Sequence, residues 1–464
     1  MDELFDLCEM LNRSRADFGD IYAEKSLSHL VEYENGRLEE TKTSKNSGTG
    51  VRLLFRDSTV YTYMPGTLVK GASEALLECR GRYDGPGMSF AKNGLASAKD
   101  LVPGDPGIEM VVERERLEEV DRHLRGKSSL VRQVRLRFGT VDSGITILSS
   151  EGSIVRKRRQ ATRFSVQVVV EEKGSLFTGY EVRAFSVDAG GFLEKGDFLE
   201  TGEKALRRAL LQSSAVLCPA GVMPVILSGR AGGTMIHEAC GHGLEADILE
   251  KDYSVYRGKK GQTVASELVT LVDDATIPGL YGSYTFDDEG TPAQRTILIE
   301  HGVLCNLLTD VETAKNQGLP RSGNGRRASW SVPPMPRMSN TFIMGGKQDP
   351  EEIVDSMKEG LLVFKMGGGE VHPTTGDFVF HVEEGYLVKD GKKGKAVKNV
   401  ILTGNGPEVL KRISAVGRDL HFESGVCGKS GQHVPVTDGQ PTILVERLTV
   451  GGSDTADEYP RNFS

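Results

Sequence analysis

The stretch "TMIHEACGHG", residues 234–243, sets His237, Glu238 and His242 close together in the chain. Imidazole nitrogens are zinc donors, and a Glu beside a His ligand is the general base in the helical H-E-x-x-H motif. Here the spacing is H-E-x-x-x-H, one residue longer. Each residue of a regular α-helix advances about 100°, so His237 and His242 would point about 140° apart. Two local solutions bring them back to one side. A single π-type turn absorbs one extra residue, or the helix ends near Gly241 or Gly243 and His242 turns back from a loosened last turn. Each glycine weakens a regular helix by roughly 1 kcal/mol. The plainer reading leaves both histidines as helix-surface residues and Glu238 as a solvated carboxylate. The stripe Ile236, Cys240, Leu244 and Ile248 would bury one side of the helix, which assigns Cys240 to the core.

A catalytic zinc takes three protein ligands and keeps one position open. Glu245 is the local candidate, and Cys427, His433, His421, His372 and His381 are the distant ones. Cys427 sits in "ESGVCGKSGQHVPV", whose small residues allow close backbone approach and an exposed thiol. Spacing does not choose among these.

The elements that must position such a site are mostly strands. "SHLVEYENGRLEETK" has an Asn-Gly hairpin signal and "GTGVRLLFRDSTVYTYM" gives two apolar runs; "ITILSSEGSIVRKRR" and "FSVQVVVEEKGSLFTGY" repeat that order. The repetition reads as an internal duplication over about 28–90 and 111–216. Helical patterns lie at 67–80, 111–126 and 198–213. Beyond 220 come the metal helix, a second helix over 349–364, and a β-meander over 375–406. The expected fold is α+β: an N-terminal α/β domain (1–219) of strand-rich repeats with packed helices, and a C-terminal β-rich, barrel-like domain (220–464). At 464 residues the chain exceeds one small core. Its 56 Gly, about 12% against a usual ~7%, show no fixed period and read as turns.

The net charge of -8 disfavours a nucleic-acid surface. "RKRRQATR" (156–163) reads as a solvated strand face, and "FDDEG" (286–290) as a solvated turn rather than a cation site. "KMGGGEVHP" (365–373) lacks the phosphate-loop pattern and reads as a loop beside the active site. No stretch reaches 18 apolar residues and the amino terminus is acidic, so the expected location is cytoplasmic, off the membrane. The six cysteines show no close pairing, which disfavours a disulfide framework.

"MIHEACGHGLEAD", "DDEGTPAQRT", "SGNGRR", "PPMPRMSNT" and "GVCGKSGQHVPV", in this order, resemble signature segments of the TldD branch of the TldD/PmbA metallopeptidases. The resemblance covers nearly the whole chain and is strongest beyond residue 221. It implies one zinc per chain held by His237, His242 and Cys427, with Glu238 as general base. It also implies a homodimer, or a heterodimer with a PmbA/TldE-like subunit, enclosing a cavity where an unfolded or short peptide lies as an added β-strand. Arg326, Arg327 and His372 are candidates for substrate contact, the arginines having Asp287 or Asp288 as alternative partners. The competing function is a noncatalytic modulator of a partner such as gyrase or an antitoxin; a small-molecule amidase is a third.

Overall fold

The computed structural model describes residues 16–56, 58–66, 114–251 and 253–452. The expected 67–80 helix, Cys8 and Cys79 lie outside them. The first half builds one antiparallel sheet from β1 (Phe18–Glu34), β2 (Arg37–Phe55), β3 (Ser58–Pro65), β4 (Val131–Ser149), β5 (Ile154–Glu172) and β6 (Ser175–Phe185), in the order β3-β2-β1-β4-β5-β6. Two meanders thus meet along the β1–β4 pairing. The helices Arg114–Lys127 and Phe198–Ser214 cover one face. Leu117, Val120, Leu124, Ala205 and Ala209 interlock there with Val134, Leu136, Phe138, Phe164 and Val166. The strands alternate inward and outward, so their inward residues meet the apolar helix stripes.

Helix and sheet approach closely at Gly179, where a Cβ would stand 2.0 Å from the Ala205 carbonyl oxygen and 2.6 Å from the Ala209 nitrogen. Gly179→Ala should therefore force the helix off the sheet. We expect a loss of about 1–3 kcal/mol in urea unfolding, and an unchanged midpoint would refute the close packing.

The second half contributes β7 (Gly221–Leu227), β8 (Leu271–Asp274), β9 (Arg295–Glu300), β10 (Asn340–Ile343), β11 (Glu359–His372), β12 (Asp377–Lys389), β13 (Val400–Asn405), β14 (His421–Lys429), β15 (Gln432–Gln440) and β16 (Ile443–Gly452). The ring β11-β7-β16-β13-β12 closes through the β11–β12 pairing into a five-stranded barrel. A second, six-stranded sheet runs from the short strand Val303–Leu304 through β9-β8-β10-β15-β14, with β14 at its edge. The α+β class and the barrel-like second half are as the sequence leads one to expect. No helix among the described residues is long and apolar enough to cross a membrane.

Two local expectations are corrected. The helix over 349–364 is only Pro350–Asp355, capped by the Asp349 carboxylate. The apolar run behind it instead enters β11, where Leu361, Leu362 and Val363 pair in parallel with Val225, Ile226 and Leu227. "KMGGGEVHP" is not a loop but the far part of β11, kinked by register shifts between Val363 and Gly369. Its glycines permit contact that side chains would block: a Cβ on Gly369 would lie 1.9 Å from the Phe380 ring.

Candidate metal centre

The helix of the H-E-x-x-x-H stretch runs Thr234–Ile236, then one π-turn over His237–Gly241, then a tight last turn over His242–Leu244. The His242 N–H donates to the His237 carbonyl, five residues back. This is the widening that the H-E-x-x-x-H spacing needs. The two imidazoles stand edge to face with centroids 5.0 Å apart. Ile236, Ala239, Cys240 and Leu244 anchor the helix in the buried cluster that holds Val225, Val363, Phe380 and Leu402. Cys240 is wholly buried, and burial pushes its thiol up to about 12.

Cys427 arrives on β14. Its Sγ lies 3.4 Å from His242 Nε2, and one donor atom each from His237, His242 and Cys427 fall within 4.8 Å of one another. The thiol is buried rather than exposed as its small neighbours suggested, because β14 packs it against the helix. Arg337 fixes that strand by donating to the Cys427 carbonyl at 2.7 Å.

Each imidazole is oriented from behind. His237 Nδ1 bonds Asp438 Oδ1 at 2.7 Å, and His242 Nδ1 bonds Glu245 Oε2 at 3.0 Å, with Lys429 Nζ 2.9 Å from the same oxygen. Each carboxylate engages Nδ1 and fixes its ring, leaving Nε2 as the remaining ring nitrogen, and His242 Nε2 faces Cys427 Sγ. Glu245, the local third-ligand candidate, is thus a supporting group. Burial alone would raise the Cys427 thiol, but His237 and His242 outweigh it and hold it at about 4. Burial would lower His242, yet Glu245 and Cys427 raise it to about 10. Two imidazoles and a thiolate that already compete for protons make a donor set suited to a borderline-soft divalent ion.

Glu238 occupies the open side, its Oε2 3.9 Å from His242 Nε2 and a quarter of its side chain exposed. Burial raises its carboxyl, against the pull of both histidines. A cleft of about 160 Å³ opens there, lined by His237, Glu238, Lys365, Glu423, Val426 and Asp438 among others.

The remaining candidates fall elsewhere. Arg326 and Arg327 turn inward rather than toward the cleft. Arg326 donates to the Met338 carbonyl at 2.6 Å and lies over the Tyr284 ring. Arg327 pairs with Asp20 at 3.1 Å and lies over the Tyr22 ring. His372 stands exposed where β11 turns into β12, and His381, His421 and His433 are exposed too. "FDDEG" is no solvated turn. Asp288 takes Lys157 Nζ at 2.7 Å, and Glu289 takes Arg52 at 2.6 Å, with Asp288, Glu289 and Arg52 buried and Lys157 partly so. "RKRRQATR" accordingly has two of its cations turned inward, Lys157 and Arg159, the latter 2.6 Å from Glu24. The sequence reading missed Asp438, whose signal was one carboxylate on the otherwise apolar inward face of Val434 and Val436.

Residues 19–79, 102–212 and 220–452 match, in turn, domain 1, the central domain and the C-terminal domain of the PmbA/TldA metallopeptidases. The chain belongs to the PmbA/TldA metallopeptidase family. It is 34% identical over 476 aligned residues to the "Metalloprotease TldD homolog" of Haemophilus influenzae, covering 97% of this chain and 96% of that one. A "Metalloprotease" of Methanothermobacter thermautotrophicus is also 34% identical, over 95% of this chain and 96% of its own length. Among solved structures, TldE from Thermococcus kodakarensis superposes with a TM-score of 0.75 at 20% identity, over 97% of this chain and all of that one. That likeness concerns the fold alone.

Proposed function

We propose that this PmbA/TldA family member is a zinc-dependent peptidase that hydrolyses unfolded or flexible peptides. The observation behind this reading is the meeting of one donor atom each from His237, His242 and Cys427 around a π-turn, beside Glu238 and an open cleft. His237, His242 and Cys427 would hold one zinc, leaving one position open. When bound, the ion polarises the scissile carbonyl and acidifies the attacking water.

The chain's own residues supply the rest. Glu238 accepts the proton of the attacking water and returns it to the leaving amide nitrogen. Asp438 and Glu245 keep both imidazoles in the binding tautomer. The edge strand β14 offers free main-chain groups along Glu423, Ser424, Gly425 and Val426, which line the cleft. An extended peptide adds to such an edge through backbone hydrogen bonds, giving affinity with little sequence demand. The working form is a cytoplasmic homodimer, or a heterodimer with a PmbA/TldE-like subunit, that encloses this cleft. The division between the two functional parts falls near residue 220.

Purified protein should contain about one zinc per chain and cut an unstructured polypeptide, read by mass spectrometry. Cys427→Ala should lose both metal and cleavage. Retention of full zinc by that variant would remove the third ligand, and a wild-type protein that cuts nothing would remove the peptidase reading.

A further inference from the structure

One pair of charges in the cleft is left over once the metal residues and Glu238 are assigned. Lys365 stands in the kinked part of β11, where register shifts interrupt the pairing with β12. Bulges of this kind re-aim side chains and concentrate beside active sites. Here the kink sends Lys365 to the cleft wall, where Nζ donates to Glu423 Oε2 at 2.9 Å. The other Glu423 oxygen lies 3.6 Å from His421 Nε2. Glu423 thus has partners on both oxygens. The ammonium has three N–H groups, and Glu423 is its one hydrogen-bonded partner shown among the described residues. The charges of the pair balance, and its spare capacity is the ammonium's remaining N–H groups, which suit an acceptor.

Its place along the strand fixes what it can read. Glu423, Gly425 and Cys427 share one face of β14, because side chains alternate. From Val426 to Glu423 the edge advances about 10 Å at roughly 3.3 Å per residue. A peptide paired with this edge and cut beside Glu238 brings the side chain about three to four residues away to Lys365.

We propose that Lys365, oriented by Glu423, is a specificity residue that binds a carboxylate of the substrate about three to four residues from the scissile bond. The carboxylate is either an Asp or Glu side chain or the peptide's own C-terminus. Its oxygens complete the ammonium's hydrogen bonds as a charge-assisted contact, while Glu423 keeps His421. This rests on the peptidase reading, and it adds a charge preference that main-chain pairing alone does not give.

The test is cleavage of a random-sequence peptide library by the zinc-loaded protein, with cut positions read by mass spectrometry. Asp and Glu, or a free C-terminus, should be enriched about tenfold at that distance on one side of the cut. A second library with amidated C-termini separates the sources: enrichment that survives amidation belongs to side chains, and enrichment that vanishes belongs to the terminus. Lys365→Met should flatten the preference while zinc content stays full, and Lys365→Glu should invert it toward Lys and Arg. Should the single variants fail to fold, the double variant Lys365→Met/Glu423→Gln removes both charges together and should also give a flat profile. A wild-type profile with no acidic enrichment overturns the proposal, as does enrichment that persists in Lys365→Met or the double variant. A wild type that cuts nothing overturns the peptidase reading as well.

Discussion

Glu238→Gln is expected to keep the full metal content and lose about 10²- to 10⁴-fold in turnover, the range that a positioned general base contributes. The substitution keeps the shape but removes the ability to accept a proton. The loss should be selective because Glu238 is not among the three atoms that meet at the centre. It sits 3.9 Å from His242 and faces the cleft. Metal analysis and steady-state cleavage of the same preparation decide the matter. Near-normal turnover would strip Glu238 of its role. Lost zinc would make it a ligand or a ligand support instead.

Arg52→Met should cost about 3–5 kcal/mol of stability, the largest structural effect expected. Arg52 is fully buried between Asp20, whose Oδ2 accepts from Nε at 2.7 Å, and Glu289. Removing it leaves Glu289 without its buried cation and Asp20 with Arg327 alone. Denaturant unfolding measures the loss, and a change under about 1 kcal/mol would show that the site relaxes or hydrates freely. The same cluster gives a pH dependence. Burial raises Asp287, Glu289 and Asp310, with like-charged neighbours adding to the rise of the first two, and Asp310 is pushed up to about 6. A carboxyl raised in the folded state binds its proton more tightly there than in the unfolded chain. Its contribution is therefore whole below the ordinary value of 3.8 and drains away as pH climbs through about 6. Asp288, held well below the usual range by Lys157 and Arg159 despite burial, acts in the opposite sense and loses its contribution in acid. The melting temperature should peak in mild acid and fall toward neutral pH. Asp310→Asn should flatten the neutral limb, and an identical slope in that variant would refute the assignment.

Much of the centre was legible because its chemistry is local. The extra residue between His237 and His242 calls for a widened helix, a helix that ends near Gly241 or Gly243, or no site, and the chain takes the widened helix. The alternation in β5 and the meander after 375 were readable for the same reason, since period-2 patterning is a near-neighbour property. What failed depended on distant partners. "RKRRQATR" and "FDDEG" each look solvated alone. Arg156, Arg158 and Arg163 do stay exposed, but Lys157 and Arg159 turn inward, and Lys157 meets the buried Asp288 across 131 residues. The 349–364 run looks helical until β7 offers its apolar part a parallel partner. Arg326 and Arg327 looked like substrate contacts because arginine suits carboxylates, yet the carboxylate that takes Arg327 is Asp20, from the start of β1.

The sheet of the first half presents Asp20, Arg52, Lys157 and Arg159 to Asp288, Glu289 and Arg327 of the second. Neither surface is fit for water or for an apolar partner of another shape. A chain severed between them would strand an acidic loop on one fragment and a basic strand on the other. The two halves are therefore obligate companions, and a gene encoding only the portion with His237, His242 and Cys427 would make an enzyme centre without the counterions that keep its surroundings folded.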